Sequence, residues 1–424
     1  MSSENSNAQS RPAVVTGGWL LLGAMTLIYF LANLQKVIVP GATFNELQQA
    51  FNVDAAQITR LGGAFMYAYA LGQLLVGFLA DRYGGVRVVI WGGVLFCVGS
   101  LLSGLNVSLG LLLCSRMMTG LGAASFYLST VKEISKRPVS QLSMLVSIML
   151  CVGYSGGIVG TAPFIAGIKA FGYRPMMLGA GIVTLLVYAL FLGVGHKSID
   201  PVNKDVKFRL SFFKAVFTRS NVFVIGSNGL CFGTYFAMQT VIGKKFLEDY
   251  CGMGTINAGY VLTAMMAIAA IDSLLIANLS RLCGNRLMPF IRLGGFGTMA
   301  CTLALFLVPL SDYRAPWLAV VTMLLLSVTA NGGAIYLAML RLTNEDKCFG
   351  TIASSANFFA YIVTAIFGGF IGRLMDVFPP TLVGDLKIYG RESYLLVLGV
   401  MLFLTVIAAV FTAFLKEPPR EKNI

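Results

Sequence analysis

Charged residues and histidine are both scarce in this sequence of 424 residues. Asp, Glu, Lys and Arg together make up 12% of it, and His196 is the only histidine. The eight cysteines include no Cys-x-x-Cys pair, and no His-Glu-x-x-His, nucleophile-elbow or phosphate-loop pattern occurs. These absences argue against an enzyme, and we predict no disulfide, no metal site and no cofactor.

Apolar residues stand where charges are missing. They make up 57% of the chain, and the mean hydropathy is +0.80, which is more than one soluble core requires. A helix that crosses about 30 Å of hydrocarbon needs roughly 20 apolar residues. We therefore predict an all-α membrane protein of twelve transmembrane helices. The predicted spans are 17 to 39, 58 to 80, 86 to 106, 108 to 131, 140 to 168, 174 to 195, 220 to 243, 256 to 280, 287 to 309, 315 to 340, 350 to 372 and 393 to 415.

The net charge of +13 fits a membrane orientation better than a nucleic-acid surface. The basic residues are scattered among short loops, and no RNA- or DNA-binding motif accompanies them. With a cytoplasmic N-terminus, 19 Lys and Arg residues fall in inside segments and 8 in outside loops. The positive-inside rule then predicts that both termini are cytoplasmic. Residues 1–16 and 416–424 are expected to be the cytoplasmic tails.

Residues 196–219 form the longest and most polar of the inside segments. They divide the predicted spans six and six. This division predicts two six-helix bundles, residues 17–195 and 220–415, joined by a cytoplasmic linker. Residues 208–217 of the linker mix aromatic and basic side chains, which suits either a short amphipathic helix on the inner leaflet or a solvated connection.

The loop after the second span carries a motif that recurs after the eighth. Residues 77–87 read Gly-Phe-Leu-Ala-Asp-Arg-Tyr-Gly-Gly-Val-Arg, and the pattern R-x-x-G-x-R of residues 82–87 returns at residues 281–286. This loop resembles the G-x-x-x-D-R-x-G-x-x-R signature of the major facilitator superfamily. With the twelve spans and their six-six division, the resemblance covers essentially the whole chain. It implies two bundles related by a pseudo-twofold axis and transport by alternating access.

The resemblance implies gating roles for the residues of this motif. Asp81 is expected to latch the two bundles on the cytoplasmic side, because a carboxylate can accept hydrogen bonds from a helix N-terminus. Arg82 and Arg87 are expected to supply countercharge, and Gly77 and Gly84 to permit close approach. A basic topology signal with a turn would explain the arginines but not Asp81 or the glycines. The recurrence adds three residues to the predicted gate: Arg281, Gly284 and Arg286.

Two charged residues lie deep in predicted spans. Arg116 begins Arg-Met-Met-Thr-Gly-Leu-Gly in span four, which resembles the family's R-x-x-x-G-x-G pattern. It is expected to face a partner acid, a wet cavity or an anionic ligand, and the alternative is a structural pair or a side chain that extends outward. Asp272 in span eight has no basic residue within a helical turn. It either carries a proton through the transport cycle or is permanently paired across the bundle, and both interpretations remain open.

Span one places Tyr29, Asn33 and Lys36 on one helical face, because they are spaced i, i+4 and i+7. Lys36 is a candidate contact for an anionic substrate. It also lies near the outer end of the span, where a lysine side chain readily extends to the membrane surface, and the sequence slightly favours this second interpretation.

Further polar side chains lie in the spans that line the cavity in the resembled family. The same side chains can hold helices together, so each one has this structural alternative. The candidates for substrate or coupling contacts are Gln73, Tyr154, Asn228, Tyr235, Gln239, Asn331, Asn357 and Tyr361. Together they predict a polar central cavity near the midplane.

The leading hypothesis is a proton-coupled symporter or exchanger for a small organic solute. Because Lys36 and Arg116 outnumber the single deep acid Asp272, we predict an anionic metabolite as substrate, and the organic-anion and sugar-phosphate permeases are the branch that the first spans resemble. The runner-up is multidrug or metabolite efflux by proton antiport, although span five lacks the Gly-Pro pair of such antiporters. A transporter-like ligand sensor is the alternative from another class.

The predicted partners are a small-molecule substrate and the lipid bilayer, without nucleic acid, and the functional unit is expected to be a monomer. A proton or ion gradient is the expected driving force. The predicted spans imply an integral multi-pass protein of the plasma membrane, which is the cytoplasmic (inner) membrane in a bacterium.

Overall fold

The computed structural model of the chain describes residues 17–105, 108–137, 139–203, 214, 216–283, 286–311, 316–344, 346–383 and 386–417. Within these residues the fold is α-helical apart from one short β-hairpin. We refer to residues 17–203 as the first half and to residues 216–417 as the second half.

The helices of the first half follow one another with short connections. Helix α1 continues through a π-helical turn, Ile38–Ala42, in which Val39 leaves the helical region of φ and ψ. The bounds are α1 Gly17–Val37, α2 Phe44–Phe51, α3 Ala55–Tyr83, α4 Gly85–Leu105, α5 Leu109–Ile134, α6 Val139–Val159, α7 Ala162–Phe171 and α8 Tyr173–Gly195, followed by a 3₁₀ turn, His196–Ser198.

The second half repeats the interrupted start of the first, because its first helix also runs through a π-helical turn, Met238–Ile242. The bounds are α9 Arg219–Ala237, α10 Gly243–Asp249, α11 Thr255–Leu282, α12 Met288–Leu310, α13 Pro316–Thr329, α14 Gly333–Thr343, α15 Asp346–Met375 and α16 Arg391–Ala413. Between α15 and α16, strand β1 Thr381–Val383 pairs antiparallel with β2 Leu386–Ile388, so that Thr381 lies opposite Ile388.

Eleven helical segments among the described residues are long and apolar enough to cross a membrane. They account for every predicted span except the seventh, 220 to 243. Helix α9 and the turn after it occupy that stretch, and Asn228, Thr234 and Gln239 lower its hydropathy. In the described part of the chain the count is therefore eleven, and the twelfth span stays a prediction.

Two spans predicted as continuous, 140 to 168 and 315 to 340, are interrupted helices. The first breaks between α6 and α7, and the second breaks between α13 and α14. Pro163 lies in the first turn of α7, where a helix has no use for the missing proline N–H. The proline therefore starts a new helix instead of bending a continuous one.

Glycines allow α1 and α6 to pack closely. A Cβ atom on Gly156 would overlap the carbonyl oxygen of Phe30, and one on Gly153 would overlap the ring of Tyr29. Small residues serve this purpose in membrane proteins, where close van der Waals packing must replace the hydrophobic effect between helices.

The two halves meet mainly in three regions. Helix α3 packs along α15, α6 and α7 pack against α11, and the two π-helical turns pack on each other. Most of the polar side chains predicted for a central cavity lie on these elements, so the candidate site falls at the interface between the halves.

The contact between α1 and α6 predicts a measurable cost for a single added methyl group. Gly156→Ala should lower the free energy of unfolding by about 1–3 kcal/mol, because the new Cβ has no room beside Phe30. Gly179→Ala is the matched control, since a Cβ there meets no atom within 4 Å. The thermal unfolding midpoint in detergent measures both variants, and equal midpoints would contradict this account of the packing.

Candidate functional site

Lys36 lies at the interface between the halves, enclosed by aromatic rings. Its Nζ atom is 5.1 Å from the ring centroid of Tyr69, 5.3 Å from that of Phe236 and 5.0 Å from that of Tyr361. The residue is 4% exposed, and among the described residues no carboxylate forms an ion pair with it. The ring faces are electron-rich and stabilise a desolvated cation by about 2 kcal/mol or more.

Two weak hydrogen bonds complete the surroundings of the Lys36 ammonium. It donates to Asn33 Oδ1 and to the Tyr361 hydroxyl, each at 3.4 Å. Asn33 is oriented in turn, because its Nδ2 donates to the carbonyl oxygen of Tyr29 at 3.0 Å. Asn33 therefore connects the Lys36 ammonium to the main chain of α1 at Tyr29.

The interpretation of Lys36 as a side chain that extends to the membrane surface is wrong. The chain does not emerge after Lys36, because the π-helical turn that follows is itself buried. A Cβ on Gly41 in this turn would overlap the carbonyl oxygen of Thr240 in the second half. The end of α1 is therefore covered by the other half, and the ammonium has no route to the surface.

Arg116 is fully buried, and it contacts main-chain oxygens. Its Nη1 donates to the carbonyl oxygen of Gln35 at 2.9 Å and its Nη2 to that of Val39 at 3.1 Å. Pro40 has no N–H and Val39 is not helical, so the carbonyl groups at this end of α1 lack their usual donors. A cation stabilises a helix C-terminus because the carbonyl oxygens there carry partial negative charge.

Arg116 therefore fixes the main chain on both sides of Lys36. The predicted partner acid is not found among the described residues, and the guanidinium lies instead 4.6 Å from the centroid of the Phe65 ring. A cavity of about 10 Å³, enough for one water molecule, adjoins Lys36 but not Arg116. In this conformation Arg116 holds the segment that carries Lys36 and does not line a wet cavity.

Tyrosine rings extend the site along α1. The ring centroids of Tyr69 and Tyr361 lie 4.6 Å apart, and those of Tyr29 and Tyr127 lie 5.8 Å apart. Tyr127 of α5 was absent from the predicted site. It follows Arg116 by eleven residues, which is about three helical turns, so the two share a helical face and the spacing could have revealed it.

Asp272 is half-buried on α11, and its Oδ2 atom is buried without a hydrogen-bond partner. Tyr154 of α6 lies near enough for its hydroxyl to interact electrostatically with this carboxyl group. Among the described residues no Lys or Arg forms an ion pair with Asp272. The permanently paired interpretation therefore finds no partner in this part of the chain.

Gln73 and Asn357 connect α3 to α15. Asn357 Nδ2 donates to Gln73 Oε1 at 3.1 Å, and Gln73 Nε2 donates to the carbonyl oxygen of Ala124 at 3.2 Å. In this conformation both side chains hold helices together, which is the structural alternative for such residues.

The other polar candidates lie in the second half, and among the described residues they form no hydrogen bond with Lys36. The Tyr235 hydroxyl and the Asn331 amide each donate to a main-chain carbonyl of the same half, at 3.4 Å and 2.8 Å. Gln239 is buried with both amide atoms unpartnered, and Asn228 is half-buried on α9.

The acid of the gating motif pairs within its own half. Asp81 Oδ1 lies 2.6 Å from Lys132 Nζ at the end of α5, and the two side chains are 54% and 40% exposed. The predicted latch between the bundles is therefore not formed in this conformation. The expected close approach at Gly77 is also absent, because a Cβ there would meet no atom within 4 Å.

Gly84 behaves as its place in the motif predicts. It ends α3 with φ of +85°, a conformation that side chains disfavour, and a Cβ there would also overlap Asp200. The main chain of residue 203 donates to the carbonyl oxygen of Arg82 at 2.8 Å, so the start of the predicted linker rests on the motif loop.

An ion pair fastens this start of the linker. Lys136 Nζ lies 2.6 Å from Asp200 Oδ2 and 2.7 Å from Glu133 Oε2. Burial lowers the pKa of Lys136, but its hydrogen bonds to Asp200 and Glu133 outweigh burial, and the net pKa is raised. The lysine thus stays charged and holds the segment in place.

The remaining motif residues are only partly described. Arg87 is half-buried on α4, the side chain of Arg281 and the whole of Gly284 lie outside the described residues, and Arg286 is exposed. Arg286 lines a surface cavity of about 370 Å³ with Arg292 and Glu417. Of the motif residues that recur after the eighth span, the structure therefore describes only the exposed basic side chain of Arg286.

At the opposite end of the molecule the two halves are joined by polar contacts. Asp376, after α15, accepts a hydrogen bond from the main-chain N–H of Ala56 at 2.8 Å. The Tyr389 hydroxyl donates to Asp376 Oδ1 at 2.8 Å and accepts from the N–H of Ala55 at 3.0 Å. Both groups thus occupy the N-terminus of α3, where free N–H groups and the helix dipole favour an acid.

Two buried lysines strengthen the same end. Lys244 Nζ donates to the carbonyl oxygen of Ala42 at 3.1 Å. Lys245 Nζ donates to Asn45 Oδ1 at 2.9 Å and lies 3.1 Å from Asp249 Oδ1. We call this region, formed by residues 38–56, 238–249 and 371–389, the closed end.

The sequence matches the Major Facilitator Superfamily over residues 21–368. This stretch includes the gating motif, Lys36, Arg116 and most of the interface between the halves. The chain belongs to the Major Facilitator Superfamily, as the motif of residues 77–87 predicted.

Relatives with assigned substrates align with only part of the chain. The probable sulfoacetate transporter of Cupriavidus necator is 26% identical over 176 residues, which are 41% of this chain and 41% of that protein. The 4-hydroxybenzoate transporter of Pseudomonas putida is 28% identical over 201 residues, 44% of each. The chain thus spans less than half the length of these two relatives.

A solved structure covers nearly the whole fold. It is a bacterial homologue of the human lysosomal transporter Spinster in an inward-facing, unoccupied conformation, with a TM-score of 0.75, 16% identity and coverage of 94% of this chain and 96% of that one. At this identity the likeness shows the fold alone. Together with the apolar helices, family membership confirms the predicted localisation, an integral multi-pass protein of the inner membrane.

From the hydrogen bonds of Asp376 at the closed end, we predict that this residue controls which end of the molecule is open. Asp376→Asn should destabilise the closed end by about 1–2 kcal/mol, because a charge-assisted hydrogen bond to the N-terminus of α3 becomes a neutral one. The population that is open at this end should then rise about five- to thirty-fold.

The labelling rate of a cysteine introduced at Ala42, with the native cysteines replaced by serine, measures this population. Glu392→Gln is the matched control, because Glu392 is an exposed acid in the first turn of α16. An unchanged labelling rate in Asp376→Asn would remove Asp376 from the contacts that hold this end closed.

Proposed function

We propose that this protein is a secondary active transporter that moves a small organic anion across the membrane by alternating access. The observation that carries the proposal is the buried ammonium of Lys36, which lies between the two halves without an acidic partner among the described residues. A buried charge without a counterion is costly. An anionic substrate would relieve that cost, and this favours its binding at Lys36.

The relatives support the same substrate class. Two of them are named as transporters of sulfoacetate and of 4-hydroxybenzoate, and both compounds are organic anions. Under this proposal the Lys36 ammonium binds the carboxylate or sulfonate group of the substrate. Arg116 contributes by holding the two carbonyl groups that flank Lys36.

The proposed topology has twelve spans, with α9 as the seventh, and both termini in the cytoplasm. The spans form two six-helix bundles, residues 17–195 and 220–415, joined by the linker 196–219, and the functional unit is a monomer. The closed end then faces outward, and the motif loop with Asp81 faces the cytoplasm. In the conformation described above, the outer end is accordingly held closed by Asp376, while Asp81 at the inner end is not engaged across the bundles.

Proton coupling through Asp272 completes the proposal. Its carboxyl group has one buried oxygen without a hydrogen-bond partner, and no ion pair among the described residues holds it charged. A carboxyl group in such surroundings can take up and release a proton as the two ends alternate. Tyr154, from the other half, interacts with it electrostatically, so the protonation of Asp272 can be coupled to the relative movement of the halves.

Lys36→Gln tests the substrate assignment. The substitution keeps a hydrogen-bonding side chain, one atom shorter than lysine, but removes the charge, so transient currents that organic anions evoke in proteoliposomes should fall at least about tenfold. Lys169→Gln is the matched control, because Lys169 is exposed in the last turn of α7. Equal currents in the two variants would exclude Lys36 as the group that binds the anion.

Asp272→Asn tests the coupling assignment separately. Asparagine cannot carry a proton, so accumulation driven by a pH gradient should be lost while exchange of substrate for substrate continues. Accumulation is measured as uptake into proteoliposomes with and without an imposed pH gradient. Glu392→Gln serves as the control, because Glu392 is an exposed acid in the first turn of α16. Retained pH-driven accumulation in Asp272→Asn would rule out this residue as the proton carrier.

A further inference from the structure

The charge and the aromatic walls of the Lys36 site narrow the class of anion that it would bind. We propose that the site takes a monoanion with a flat, ring-shaped apolar body and a polar group at the end opposite the acid group. This inference rests on the proposed transport of organic anions, and it names the substrate class of that same site.

The first argument is the balance of charge. Lys36 is the cation that faces the aromatic site without an acidic partner among the described residues, whereas both terminal nitrogens of Arg116 are engaged by carbonyl oxygens. On the second half, Asp272 adds a carboxyl group that has no ion-pair partner among the described residues and that interacts electrostatically with Tyr154. One positive charge balances one negative charge, and a second anionic group on the ligand would meet the repulsion of Asp272 without compensation.

The second argument is the composition of the walls. Aromatic side chains from both halves surround Lys36, and they also contact one another. Tyr361 lies edge-on to Tyr69 at 4.6 Å and to Phe232 at 5.4 Å. Such walls favour a flat π-system over a hydroxylated body, because ring faces and edges offer complementary partial charges and leave few partners for the hydroxyl groups of a sugar.

The third argument is length. Tyr29 precedes Lys36 by seven residues on α1, which is about 10 Å along the helix, and the Tyr29 ring contacts the Tyr127 ring. Tyr127 and Tyr154 are half-buried, and neither hydroxyl is among the buried atoms without a partner or forms a hydrogen bond to a described residue. A ring-bearing acid that spans this distance together with the hydrogen bonds at its two ends would place its acid group at Lys36 and direct its far polar group toward the Tyr127 hydroxyl, with the Tyr154 hydroxyl as the second candidate partner.

The experiment measures ligand-induced shifts of the thermal unfolding midpoint for the full chain in nanodiscs, titrated with five probes. The probes are benzoate, 4-hydroxybenzoate, cyclohexanecarboxylate, terephthalate and glucose 6-phosphate. We expect 4-hydroxybenzoate to bind about tenfold more tightly than benzoate. Terephthalate, glucose 6-phosphate and cyclohexanecarboxylate should each bind at least about tenfold more weakly than 4-hydroxybenzoate.

Two variants connect the result to named atoms. Tyr127→Phe and Tyr154→Phe keep the rings and remove the hydroxyls, so they should erase the preference for 4-hydroxybenzoate over benzoate without weakening benzoate itself. Tyr260→Phe is the matched control, because Tyr260 is 61% exposed and should leave the preference intact.

The outcomes separate this inference from the proposal on which it rests. If the dianions bind as tightly as 4-hydroxybenzoate, and Lys36→Gln abolishes that binding, the inference is overturned while anion transport survives. Equal binding of cyclohexanecarboxylate overturns the aromatic assignment in the same way. If Lys36→Gln leaves the binding unchanged, or if none of the five probes shifts the unfolding midpoint, both the aromatic-acid inference and the proposed anion transport through Lys36 are overturned.

Discussion

A positive charge buried without an acid is the constraint on which the centre of this molecule depends. The Lys36 ammonium cannot reach the surface, because the turn after it is covered by the second half, so the protein must compensate its charge in place. Three ring faces, an asparagine oxygen and a tyrosine hydroxyl do so only in part. Under the proposed function, the residual cost of the buried charge is the physical reason for an anion to bind there.

Each end of the molecule carries an acidic side chain, and only the acid at the closed end contacts the other half. At the closed end, Asp376 of the second half occupies the N-terminus of α3. At the other end, the motif acid Asp81 forms an ion pair with Lys132 of its own half. Gly77, one helical turn before Asp81, faces open space. A carboxylate at a helix N-terminus is thus a contact that can be made at one end and released at the other, without an apolar surface having to separate from its partner.

Much of the fold was readable from the sequence, because long apolar runs and the motif of residues 77–87 leave few alternatives. The partners of Arg116 were not readable, since main-chain carbonyl groups are offered by every residue and become acceptors only where a helix ends. Lys36 was misread for a related reason, because a lysine near the end of a span extends outward only if the chain also emerges there. Tyr127, in contrast, could have been predicted, because its spacing of eleven residues from Arg116 places both on one helical face.

The exposed pair of Lys132 and Asp81 makes the gating acid sensitive to the solution around it. Both side chains are substantially accessible, so dissolved ions screen their attraction, over a Debye length of about 8 Å at physiological ionic strength. In the proposed gating role, Asp81 must leave Lys132 before it can engage another helix, so the barrier to that exchange falls as the salt concentration rises. In the proposed topology, the rate at which the inner side shuts would then report the ionic strength of the cell interior, a property that arises from one lysine at the end of α5.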